Sequence, residues 1–159
     1  MIDELATRAS LTVAAFLLLG TGMSVLGLMH TDAVREAAED LASHLERQLE
    51  SVSEIDGEAV FPSSDPAFRL PATLAGNEYV VIFRGDAVEV IARFARAARA
   101  LGAPIHPFAP SEDAYSTDEL AALDSRLLEV RPRDPFVVER AWRLVDSERA
   151  CLTFVHLPR

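Results

Sequence analysis

No lysine occurs among the 159 residues; all 15 basic side chains are arginine, set against 25 acids for a formal charge of −10. So acidic a chain lacks a general phosphate-facing surface, and a nucleic-acid partner is excluded. Cys151 is the single cysteine, so no internal disulfide can form, and its apolar setting in Ala150–Val155 reads as a small buried hydrophobe. His30, His44, His106 and His156 are scattered, with no HExxH and no H-x-H pair, so no metal site is read. G-x-S-x-G is missing too. Gly20-Thr21-Gly22 follows no strand, which rules out a phosphate-binding loop. Acid pairs such as Glu39 and Asp40 fall on an open helical face without an apolar pocket to raise a pKa. These absences leave no catalytic residue and no cofactor, and the chain reads as non-enzymatic. Arg93, Arg96 and Arg99, at helical i, i+3, i+6 spacing, read as a solvated helix face.

What is present is one long apolar block. Ala9 to Met29 holds 21 residues without a charge. At about 1.5 Å per residue it is roughly 31 Å of helix, the thickness of a bilayer's hydrocarbon core. It is apolar all round and reads as a single membrane span. A cleaved signal peptide is the weaker reading. The leader carries Asp3 and Glu4 against Arg8, and the block exceeds the usual run of about 7–15 apolar residues. Arg8 before the block and Arg35 after it leave the positive-inside rule without a preference. Gly20 and Ser24 form a small-xxx-small pair, and Gly27 shares the face of Gly20; together they mark a helix-packing face.

No proline or glycine falls between Leu28 and Asp56, so the helix continues to about Glu54, roughly 70 Å in all. Beyond Thr31 it turns amphipathic. Val34, Ala38, Leu41, Leu45, Leu49 and Val52 recur every three or four residues, opposite Arg35, Glu36, Glu39, Asp40, Glu46, Arg47 and Glu50. Gly57 and Pro62 end it. The apolar stripe predicts burial against the inner face of a sheet formed by Tyr79–Phe83 and a terminal hairpin, with Trp142 or Phe154 in the contact.

From Phe61 the texture becomes short apolar runs and turns. Phe68-Arg69-Leu70 reads as a short extended piece and Glu78–Arg84 as a central strand. Arg84-Gly85-Asp86 reads as a turn, and residues 87–91 suit either a strand or the start of a helix. Ala92–Leu101 reads helical. A short helix capped by Ser116 or Thr117 runs through Leu128, with Asp118 and Glu119 in its first turn. Phe136–Val145 and Ala150–Leu157 form a terminal hairpin around a four-residue turn, Asp146 to Arg149. The expected fold is α+β: a leader over 1–9, a transmembrane segment over 9–29, an amphipathic helix over 30–56, and a small β-rich domain over 57–159 with an antiparallel sheet.

An acid-loaded chain without lysine fits a salt-rich environment, where molar salt shortens the Debye length to about 3 Å and relieves carboxylate repulsion. A long N-terminal helix, half apolar and half amphipathic on a small sheet, resembles the type IV pilin architecture. Arg8-Ala9 followed by Ser10-Leu11-Thr12-Val13 resembles the site where a dedicated peptidase cuts pilin precursors. The run Phe68-Arg69-Leu70-Pro71-x-x-Leu74-x-Gly76-Asn77-x-Tyr79-Val80-Val81-Ile82 is similar to the LP-x-x-L-x-G-x-x-Y run of many pilin-like haloarchaeal proteins. The chain departs from the bacterial pattern at Ala9, where glycine is commoner, and at Ala14, where bacterial pilins carry glutamate. The resemblance implies processing at Arg8, Ala9 and Ser10, anchorage in membrane lipid and an extracytoplasmic C-terminal domain. It also implies assembly with other pilin-like subunits in a surface filament or secretion-type machinery. The alternative is a membrane-tethered extracytoplasmic domain that binds a ligand or protein.

Overall fold

The computed structural model describes residues 2–93 and 95–158, and the side chains of 23, 24, 26–93 and 95–158. Helix α1 spans Ile2–Ser53. Two compact units divide within it, Met1–Ala33 and Val34–Arg159.

Among the described residues of the second unit, eight strands form two sheets. The first has β2 (Tyr79–Arg84) and β3 (Ala87–Ala92) at its centre, with β4 (Ala95–Ala100) and β6 (Leu128–Val130) as edges, in the order β4-β3-β2-β6. All its pairs are antiparallel. The second is built on β7 (Val137–Val145), which pairs with β8 (Glu148–His156) along its whole length. The other edge of β7 is shared by β1 (Ala59–Pro62), antiparallel at residues 137–140, and β5 (Ala114–Tyr115), parallel at 144–145. The fold is thus α+β, one long helix packed on sheets that are antiparallel but for the short β5–β7 pair, with two sheets where the sequence predicts one.

Period-two alternation builds the main core. Tyr79, Val81 and Phe83 of β2, Val88, Val90 and Ala92 of β3, Ala97 of β4 and Val130 of β6 share one face and are buried. The same cluster takes Val34, Ala38, Leu41, Ala42, Leu45, Leu49 and Val52 from α1, and Val138 and Val155 from the second sheet. Burying each leucine contributes about 1.5–3 kcal/mol. A smaller cluster on the opposite face of the β7–β8 hairpin joins Ala141 and Phe154 to Tyr115 and Leu120, with Phe108 and Leu123 packed against them. Phe154 therefore lies across the sheet from the α1 stripe. Trp142 is half-buried, with the Arg149 guanidinium 4.6 Å from its ring centre. The hairpin meets the stripe through Val138 and Val155 instead of either aromatic.

Local structure departs from the sequence reading at several points. Ala95–Ala100 is strand β4, although alanine and arginine favour helix. Pairing with β3 satisfies its backbone and buries Ala97, and tertiary context overrides propensity. Residues 87–91 belong to β3 for the same reason. Helix α2 spans Thr117–Asp124 and stops short of Leu128, which β2 recruits into β6. Its start is a capping box: Glu119 N–H donates to Ser116 Oγ at 3.2 Å, and Ser116 N–H donates to Glu119 Oε2 at 2.8 Å. Those bonds hold the Glu119 carboxyl below its ordinary pKa.

The terminal hairpin turns over Asp146 and Ser147 alone, both at positive φ (49° and 73°). Such a turn matches the twist of the flanking strands. Asp146 tolerates the left-handed region and accepts from Thr117 N–H at 3.2 Å and from the Thr117 hydroxyl, tying the hairpin tip to the start of α2. Phe68 lies in a turn and not in an extended piece; it is buried, with its ring centre 5.9 Å from that of Phe61 in a tilted contact.

Candidate functional site

The apolar block begins outside the described side chains. Arg8, Ala9, Ser10 and Gly20 all lie there, as does most of Ala9–Met29. Among the described residues no helix is long and apolar enough to cross a membrane. The described end of the block is nonetheless distinctive. Met23, Leu26, Leu28 and Met29 are each 65–74 % exposed. At about 100° per residue, these four positions are distributed right round the helix, so the exposure is not one stripe. Leaving four large apolar side chains in water forfeits much of the 1.5–3 kcal/mol, roughly, that each gains on burial. Ser24 and Gly27 are exposed beside them, and a Cβ added at Gly27 would meet nothing within 4 Å. Thr31 Oγ1 donates to the Gly27 carbonyl at 3.0 Å, an i−4 bond within α1.

The amphipathic half behaves differently. Val34, Leu41, Leu45, Leu49 and Val52 are all buried within the second unit. His44 Nε2 adds a bond to the Ala67 carbonyl at 2.9 Å, anchoring the helix to the loop before β2. Arg99 Nε donates to Ser43 Oγ at 3.0 Å, and Gly102 N–H to Glu50 Oε1 at 3.2 Å, so α1 is also tied alongside β4.

Most polar groups buried elsewhere are paired; among the described residues Arg143 Nε is buried without a hydrogen-bond partner. His106 is buried, with Nδ1 2.8 Å from Asp124 Oδ1 and its ring 5.3 Å from that of Phe154. His156 has Nε2 3.3 Å from Glu139 Oε2. Glu89, on the face of the first sheet turned away from the core, is buried between Arg96 and Arg84. Sequence reasoning missed it because an acid inside a β-branched strand reads as solvent-facing; its arginine partners come from neighbouring strands. Tyr79 donates its hydroxyl to the Pro71 carbonyl at 2.6 Å, and burial pushes its pKa well above the ordinary range. Cys151 is half-buried, with Sγ 3.6 Å from the Gly57 carbonyl.

Among the described residues no three of His, Cys, Asp and Glu converge as a metal site. An open depression of about 1140 Å³ has Val80 and Ile91 on its floor and Arg93, Arg131, Arg133 and Glu129 around it. Its lining mixes both charge signs. In comparisons with protein families, curated proteins and solved structures, no match is found. The exposed apolar end of α1's first unit is the surface with the strongest physical demand for a partner.

Proposed function

We propose that this chain is a non-enzymatic, pilin-like subunit, anchored in a membrane by its N-terminal helix and acting by assembly through that helix. The observation that carries the reading is the all-round exposure of Met23, Leu26, Leu28 and Met29. An apolar surface on every side of a helix needs lipid or the helices of other subunits, and small residues such as Ser24 and Gly27 let such helices approach closely. The folded domain of the second unit is then the part presented outside the membrane. The charge-free run from Ala9 to Met29 gives the length that a single span requires.

Mass spectrometry of the mature N-terminus, on protein recovered from membranes and from sheared surface filaments, tests the proposal. The expected result is a chain that begins at Ser10, present in the filament fraction. A mature chain beginning near His30 and released into the medium would overturn it. A processed protein confined to the membrane fraction would favour the tethered binding domain, for which the depression above Val80 and Ile91 supplies a surface.

A further inference from the structure

The edges of the two sheets are not equally protected. β1 is four residues long and ends in Pro62, β5 has two residues, and β6 has three. The outer edge of β8 is covered at residues 153–155 by His106, whose N–H donates to the Thr153 carbonyl at 2.8 Å and whose carbonyl accepts from Val155 N–H at 2.9 Å. Short strands, proline and covering segments all stop a sheet from pairing with another chain. β4 has none of them: it is a six-residue edge strand without proline.

The register identifies which groups of β4 point outward. Leu101 N–H donates to the Asp86 carbonyl at 2.8 Å, making Asp86 and Leu101 a hydrogen-bonded pair. Such pairs alternate along an antiparallel ladder. With Ala87 opposite Ala100 and Val90 opposite Ala97, the N–H and C=O groups of Arg96, Ala98 and Ala100 therefore face away from β3. Arg99 Nη1 donates to the Ala98 carbonyl at 3.1 Å, which agrees with that direction. Arg96 is drawn back over its own sheet onto Glu89, whereas Arg99 bridges Ser43 of α1 and the outward Ala98 carbonyl, a contact that an incoming strand would displace.

Charge favours one kind of occupant. In sequence no acid lies between Glu89 and Glu112, while Arg93, Arg96 and Arg99 all do, and the buried Glu89 balances one of these charges, that of Arg96. Self-pairing of β4 in this register would place Ala98 opposite its own copy and bring the two Arg99 side chains to diagonal positions on one face, a like-charge contact.

We propose that the free edge of β4 takes an extended, carboxylate-bearing segment of a partner protein as an added strand. The main-chain groups of Arg96, Ala98 and Ala100 supply affinity, and the arginines select acidic side chains on the incoming strand. This interaction is independent of the N-terminal helix.

The test uses the full chain in detergent micelles, with amide hydrogen exchange read at residues 96, 98 and 100. The probe is a hexapeptide of alternating glutamate and valine, compared with one of alternating lysine and valine. The acidic peptide is expected to slow exchange at these three amides about tenfold or more, and the basic one to leave them unchanged. Ala98→Pro removes an outward N–H without breaking a bond to β3, a position where edge strands tolerate proline. It is expected to keep the melting temperature and lose peptide protection. Ala100→Pro serves the same purpose if Ala98→Pro does not fold. No slowing, or equal slowing by both peptides, would overturn the proposal. So would protection without peptide that rises with protein concentration, which would assign the edge to a second copy.

Discussion

His106 and Asp124 meet with Nδ1 2.8 Å from Oδ1, joining the segment before β5 to the last residue of α2. The imidazole is buried against Phe154 while the carboxylate keeps some access to solvent. Removing one partner leaves a buried polar group unpaired, whereas removing both with shape retained is close to neutral. Asp124→Ala is therefore expected to destabilise the fold by about 1–3 kcal/mol, and His106→Phe combined with it by less than the sum of the two single changes. Urea unfolding of the double-mutant cycle checks this. Strict additivity would show that the pair does not couple.

Leu45 sits fully buried at the middle of the α1 stripe, among side chains drawn from both sheets. Leu45→Ala is expected to lower the stability of the folded domain by about 2–5 kcal/mol, the range for a leucine cavity in a core that cannot collapse. Denaturant titration measures it. An unchanged midpoint would mean that the stripe is not held in the core in solution.

Tyr79 ties pH to stability at the alkaline end. Burial raises the pKa of its hydroxyl in the folded state, while the unfolded chain titrates near the ordinary value of about 10. A raised folded pKa means that the native state binds the proton longer than the unfolded state does. The stabilisation is thus complete below about pH 10 and is lost progressively as pH rises above it. Tyr79→Phe is expected to flatten that decline. It also leaves the Pro71 carbonyl without its donor, which costs about 1 kcal/mol at neutral pH. Thermal melts of both proteins between pH 8 and pH 11, roughly, test the sign.

Between Asp32 and Glu58 stand nine acids and two arginines, with like charges at i, i+4 in Asp32/Glu36, Glu36/Asp40 and Glu46/Glu50. Asp32, Glu36 and Asp40 are exposed on α1. Each like-charge pair costs about 0.2–0.5 kcal/mol in dilute solution, and molar salt screens it. The melting temperature is expected to rise from low to molar sodium chloride. A flat profile would count against adaptation to salt.

The helix and its buried stripe were legible in the sequence because both are local properties. The lack of proline and glycine between Leu28 and Asp56 permits one uninterrupted helix, and a repeat of three to four residues puts Val34, Leu41, Leu45, Leu49 and Val52 on one side of it whatever lies opposite. β2 was legible too, since an aromatic and β-branched run suits a pleated, buried strand. The exposed apolar end of α1 could also be read: a block without charge, with Ser24 and Gly27 inside it.

Tertiary structure alone decided the rest. Ala95–Ala100 has a composition that serves a helix as well as a strand, and only the open side of β3 selects the strand. The hairpin residues alternate regardless of their surroundings, but whether Phe154 or Val155 faces α1 depends on what covers each side of the sheet. The partners His106 and Asp124 are 18 residues apart, and Arg99 and Ser43 are 56 apart; no periodicity connects them. Spacing along the chain encodes which side of an element is apolar. Ladder pairing and burial come from contacts distant in sequence, and those contacts determine which strand becomes an edge and which polar groups find a partner.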